Sequence, residues 1–141
     1  LNPDSIEAQN LLEESKKAAS DVNFNEALNL LSNGKVFECY KKLKMSVDTY
    51  PNNQKAKEKM GQVRSSEFSK IPDYLHKGIE YYNTRKYKQA LEIFEHVVLL
   101  FPENKEATEY SRLSKKKDKA VADHLNCSEQ RDKKCLFLWK R

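Results

Sequence analysis

Side chains able to do covalent or acid–base chemistry are few in this sequence. Three histidines, His76, His96 and His124, fall on three separate expected helices, and none stands at a spacing from a cysteine or carboxylate that would orient a general base. The cysteines Cys39, Cys127 and Cys135 form no CxxC pair and have no metal-spaced histidines near them. Cys127 and Cys135 are close enough in sequence to pair in an oxidising compartment, but nothing requires it. A Gly-rich phosphate loop, HExxH and GxSxG are all absent. No catalytic residue, cofactor or metal site is therefore expected, and the expectation is a protein that is not an enzyme.

The elements that position side chains here are helical. Only three glycines and four prolines interrupt 141 residues, and long stretches rich in Ala, Leu, Lys, Glu and Gln favour helix by intrinsic propensity. Apolar runs such as Val97–Phe101 and Leu136–Trp139 are core-sized, far below the roughly 18 apolar residues of a membrane span. The chain begins at Leu1, which leaves room for a leader or upstream domain, so cytoplasmic and periplasmic locations stay open. The net charge of +5 is concentrated at one end: from Arg112 onward ten Lys/Arg face four Asp/Glu, whereas the first 111 residues are nearly balanced. A solvated helix face explains that asymmetry; an acidic partner or nucleic acid is the sharper reading.

Laying Pro51 over Pro102 aligns two segments without a gap. Asn33–Leu43 falls on Thr84–Phe94, and Val47–Pro51 on Val98–Pro102. An alanine follows each proline by five residues, at Ala56 and Ala107, and Pro3…Ala8 repeats that last element. The prolines are 48 and 51 residues apart. In the second copy, Tyr74-x2-Lys77-Gly78-x2-Tyr81, then Tyr87, Ala90-x3-Phe94 and Pro102, resembles the tetratricopeptide pattern W-x2-L-G-x2-Y…A-x3-F…P. The first copy is more degenerate, with Ala27, Leu30, Cys39, Leu43 and Pro51 at the matching places. Glu26 and Lys77 both stand where the family has leucine.

That resemblance implies an all-α, helix-turn-helix solenoid in which Gly78 and Ala90 let antiparallel helices approach, with Tyr74, Tyr81 and Phe94 between them. A tetratricopeptide unit is about 34 residues long, so units of about 50 residues carry extra helix, at Asp4–Asp21 and Asn52–Ile71. The expected layout is a solenoid over 1–125: the end of one unit (1–20), units at about 21–51 and 72–102, and extra helical segments at 52–71 and 103–125. Ile71-Pro72 marks a helix break before the second unit, and no such break marks the first. A charged capping helix is expected to about His124, followed by a basic and apolar tail at 126–141.

The resemblance also implies a concave binding face lined by the first helix of each pair. By register this is Phe24, Asn25, Leu28, Leu31 and Ser32 in the first unit, and Leu75, His76, Ile79, Tyr82 and Asn83 in the second. Family members that clamp a carboxylate use Lys and Asn where this chain has Phe24, Leu28, Leu75 and Ile79, so an apolar helix or extended protein segment is the expected ligand. The bland alternative is that the extra helical segments cover several of these residues. The function expected is a scaffold or adaptor for protein–protein interaction, with homo-oligomerisation open. The competing reading is a basic patch, Lys115, Lys116, Lys117 and Lys119, meeting an acidic partner or nucleic acid; no aromatic side chains interleave with it as stacking platforms.

Overall fold

In the computed structural model, the backbone of residues 5–139 and the side chains of residues 5–127 are described. These residues form six helices and no strand: α1 (Ile6–Ser32), α2 (Val36–Thr49), α3 (Gln54–Phe68), α4 (Ile71–Asn83), α5 (Tyr87–Leu100) and α6 (Lys105–Trp139). They divide into two compact units, residues 1–70 and 71–141. In the first, α2 packs on α1 and on α3; in the second, α5 packs on α4 and on α6.

Local chemistry sets the ends of these helices. The Ser5 hydroxyl opens α1 by accepting from the Ala8 N–H at 3.1 Å. Asn53 caps α3 through the Ala56 N–H at 3.1 Å, and Asn104 caps α6 through the Ala107 N–H at 2.9 Å. Each cap follows a proline by two residues, at Pro3, Pro51 and Pro102. At the other end, α1 stops where Gly34 turns left-handed at φ +74°, and α4 stops where Arg85 does so at φ +61°. Both turns close with the same pair of backbone bonds: Gly34 N–H to Leu31 and Lys35 N–H to Leu30, then Arg85 N–H to Tyr82 and Lys86 N–H to Tyr81. Glycine takes that backbone freely, whereas Arg85 holds it against its own Cβ.

The units thus correspond at an offset of 51 residues. α2 and α5 are both 14 residues long and begin 51 apart; α4 matches the last turns of α1, and α3 the first turns of α6. They differ at their joints. Ser69 and Lys70 separate α3 from α4, and Pro72 sits in the first turn of α4, where a missing N–H costs nothing. The matching stretch of α1 has no gap: residues 6–19 run straight into the part that α2 covers. The 48-residue proline spacing is three residues shorter than the next, which is about the length of the missing joint. α6 also runs on, past the end near His124 that its sequence pattern indicates and through 126–139, so the expected tail begins as helix.

The interiors of the two units use different chemistry at equivalent positions. Unit 2 centres on Ala90, Phe94, Val97 and Ala107, with Tyr74, Leu75, Ile79, Tyr81, Tyr82 and Tyr110 against them. The Phe94 ring stacks on Tyr110 with centroids 5.1 Å apart. A Cβ built on Gly78 would lie 2.7 Å from two Phe94 ring atoms, so glycine is what lets α4 and α5 meet. Unit 1 buries Ala27, Cys39, Leu43, Ala56 and Val63, and it also buries a polar cluster. The Ser20 and Ser46 hydroxyls lie 2.8 Å apart, each within hydrogen-bond reach of the other's carbonyl, and the Asn53 amide donates to both. At the equivalent places unit 2 has Ile71, Val97 and Asn104. The polarity is reversed once: Val63 of unit 1 is matched by Ser114, whose fully buried hydroxyl has no hydrogen-bond partner among the described residues.

Cys39 is fully enclosed, and desolvation pushes its thiol above the ordinary range, with Lys59 pulling weakly the other way. The folded thiol therefore holds its proton where an unfolded one would lose it. Stability from this source is intact below the ordinary thiol pKa and falls as pH rises beyond it. Native-state alkylation mapped by peptide mass spectrometry should modify exposed Cys127 rapidly and Cys39 only as fast as the unit opens. Equal rates at the two positions would contradict the burial. Pairing of Cys127 with Cys135 lies outside the described residues.

Candidate interaction surfaces

The binding positions expected from sequence fall on α1 and α4, one set in each unit. On α1, Phe24 and Leu31 are half-buried, while Asn25, Leu28 and Ser32 are exposed. Asn25, Leu28, Asn29 and Ser32 share one helical face, which presents amides and hydroxyls with one leucine. The Ser32 hydroxyl donates back to the Asn29 carbonyl, and the Asn33 amide reaches the Asn29 side chain.

On α4 the expected set separates into two rows. Leu75, Ile79 and Tyr82, at i, i+4 and i+7, are half-buried against the core of their own unit. The Tyr82 ring meets Tyr87 and Tyr110 edge-on, both at 5.5 Å between centroids. His76 and Asn83, seven residues apart, lie on the exposed side with Asp73 and Glu80. The accessible face of α4 is therefore polar, and its apolar row is largely occupied by α5 and α6.

The two charged residues at the places where the tetratricopeptide pattern has leucine both lie at the surface. Glu26 of α1 pairs with Lys42 of α2. The Lys77 ammonium lies 6.0 Å from the centroid of the Tyr81 ring, and Lys86 approaches the same ring at 5.8 Å.

Lys115, Lys116, Lys117 and Lys119 are all exposed on α6. At about 100° per residue, Lys115, Lys116 and Lys119 share one face of α6 with Arg112 at the i, i+3, i+4, i+7 spacing, whereas Lys117 lies away from it. One turn upstream, Arg112 binds Glu109 through two hydrogen bonds of 2.6 and 3.1 Å, which hold the Glu109 carboxyl below its ordinary pKa. His76 and His124 are exposed and His96 is half-buried, each on a different helix. Among the described residues, no group of three or more His, Cys, Asp or Glu side chains is placed to hold a metal ion. No described helix is long and apolar enough to cross a membrane.

Two further surfaces lie outside the positions that the resemblance implies. Residues 6–22 of α1 carry an uncharged stripe, Ala8, Leu11, Leu12, Ser15, Ala18, Ala19 and Val22, at the i, i+3, i+4, i+7 spacing of a helix face. Leu11, Leu12 and Val22 are each more than half exposed, at 59%, 56% and 58%. Beside it, Gln9, Leu12, Glu13 and Lys16 form an open groove of about 450 Å³ with Asp48–Pro51, where α2 ends and α1 continues. On α6, Lys117, Ala120, Val121, His124 and Leu125 line a mainly apolar depression of about 320 Å³ against Tyr87. The signal for both was present in the spacing of apolar residues, which the expectation of a polar capping face and an added helix had absorbed. No family model, curated protein or solved structure matches this chain.

Proposed function

We propose that the protein is a non-catalytic scaffold or adaptor of the tetratricopeptide kind, built from repeats of about 50 residues, that holds a protein segment on the exposed faces of α1 and α4. The observation that carries this reading is the correspondence of the two units at 51 residues, cap for cap and turn for turn. The fit of Phe94 against Gly78, beside the buried Ala90, is the contact that the resemblance implies. The exposed residues Asn25, Leu28, Ser32, His76 and Asn83 supply amides, a hydroxyl and an imidazole to such a segment, and Leu28 supplies apolar contact.

The test is affinity capture with the wild type and with a Leu28→Glu/His76→Glu/Asn83→Lys variant. All three positions are exposed, so the variant keeps its helical signal. The variant is expected to lose the partner that the wild type recovers. Recovery of the same partners by both would sink the reading. A complex that dissolves steeply with salt and on nuclease treatment would favour the basic segment of α6 in its place.

A further inference from the structure

The first turns of α1 begin in the same way as α3 and α6. All three helices open on a side-chain oxygen that accepts from the N–H of an alanine three residues on: Ser5 from Ala8, Asn53 from Ala56, and Asn104 from Ala107. Each cap stands two residues after a proline. Counting from the caps therefore aligns residues 5–19 with α3 and with α6 without a gap.

The face that this alignment selects is covered in both units. Three residues past the cap, Ala56 and Ala107 are fully buried; ten past it, Val63 is 3% and Ser114 0% exposed. In the second unit the cover is α5. Ala107 joins Ala90, Phe94 and Val97 in one cluster, and Tyr110, six past the cap, stacks on Phe94. In the first unit α3 packs on α2. On α1 the same three positions are Ala8, Leu11 and Ser15. Ala8 is half-buried, Leu11 is 59% exposed and Ser15 is exposed. Leu12, 56% exposed, stands where α3 and α6 have the half-buried Met60 and Ser111. α1 thus presents the face that its two counterparts bury. A repeat unit covers such a face with the helix of a neighbour.

We propose that residues 6–19 of α1 are the receiving face for a helix of the α5 kind, so that a further hairpin of this repeat docks there. Such a helix carries a small residue, a large apolar one four places on, and a branched one three places further, as Ala90, Phe94 and Val97 do. α1 resembles α6 where that helix makes contact. Ala8 and Ser15 repeat Ala107 and Ser114, and Leu11 offers an apolar side chain where Tyr110 meets Phe94. A helix of the α2 kind suits the face less well. Its Ser46 hydroxyl takes a hydrogen bond from the amide of the cap Asn53, and the cap of α1 is Ser5, which has no amide. The proposal rests on the repeat half of the reading above and is independent of the segment held along residues 24–32 and α4.

The test joins a second copy of residues 71–99 directly to Leu1 of the full chain. Leu1, Asn2 and Pro3 then take the places of Leu100, Phe101 and Pro102. Ser15→Cys and Lys17→Cys report on the face through alkylation mapped by peptide mass spectrometry. Without the added hairpin, both should react as fast as exposed Cys127. With it, Ser15→Cys should slow by about tenfold or more, while Lys17→Cys, which matches exposed Ser65 and Lys116, stays within about twofold. Phe94→Glu in the added copy should return Ser15→Cys to the fast rate.

A Ser15→Cys that stays fast beside the added hairpin would overturn the proposal. That holds even where circular dichroism shows the hairpin unfolded, because a matching face is what would fold it. Equal slowing at positions 15 and 17, or slowing that survives Phe94→Glu, would overturn it as well. So would Ser15→Cys labelling that slows with concentration in the chain without the hairpin, since a second copy would then hold the face. None of these outcomes touches the capture test of the scaffold reading, so the two fail separately.

Discussion

Replacing Phe94 by alanine is expected to cost about 3–5 kcal/mol of stability, enough to unfold the second unit under mild denaturant. The ring is fully buried, stacks on Tyr110, and is the largest fully buried side chain among the described residues. Its fit against Gly78 makes a sharper expectation available. Gly78→Ala puts a methyl 2.7 Å from two ring atoms, and a ring held by Tyr110 has little freedom to yield. Overpacking of that kind costs about 1–3 kcal/mol, against a gain of about 1 kcal/mol in helix propensity. In a Phe94→Ala background the clash is gone and only the propensity gain remains. Urea titrations of the two single variants and the double should therefore show Gly78→Ala destabilising alone and stabilising in combination. Additive effects would mean that the two residues do not share the contact described.

Asn53→Asp is expected to destabilise the first unit by about 1–3 kcal/mol, while Asn104→Asp stays within about 0.5 kcal/mol of wild type. Both asparagines cap a helix through a side-chain oxygen, and a carboxylate performs that role at least as well. Only Asn53 also uses its amide N–H groups inward, toward the Ser20 and Ser46 hydroxyls at 2.9 and 3.2 Å and the Asp21 carboxylate at 3.5 Å. Aspartate removes those donors and sets a second carboxylate beside Asp21. Burial and that neighbour both raise its pKa, so the penalty should shrink as pH falls and the new group takes up a proton. Thermal melts of the pair at neutral and acid pH check this. Equal effects at positions 53 and 104 would remove the serine–asparagine cluster from the account.

Much of the architecture is legible in the chain itself, for identifiable reasons. Pro51 and Pro102 cannot continue a helix, and Asn33-Gly34 supplies the left-handed residue that ends one, so the bounds of α2 follow from residue chemistry. The equivalent turn at Arg85 carries no glycine and is found only by register. The joint between α3 and α4 is marked by Ile71-Pro72, whereas the unbroken α1 is marked only by the three residues missing between prolines.

The surface was harder to read. Leu75, Ile79 and Tyr82 recur at the spacing of a helix face, and periodicity reports that a face is apolar without reporting what covers it. Tyr110, arriving from α6, covers part of that row. The stripe on α1 has the same kind of spacing and lies open. α6 continues past His124 through Asn126, Cys127 and Ser128, which hold no apolar repeat, so its length was not visible in the hydrophobic pattern.

The claim that this protein works by holding a protein segment on α1 and α4 is tested most directly by hydrogen–deuterium exchange with and without a captured partner. The account predicts slower exchange along residues 24–32 and 75–83 in the complex, with α2 and α5 protected equally in both states. Protection gained only along residues 112–127, with those two stretches unchanged, would contradict it.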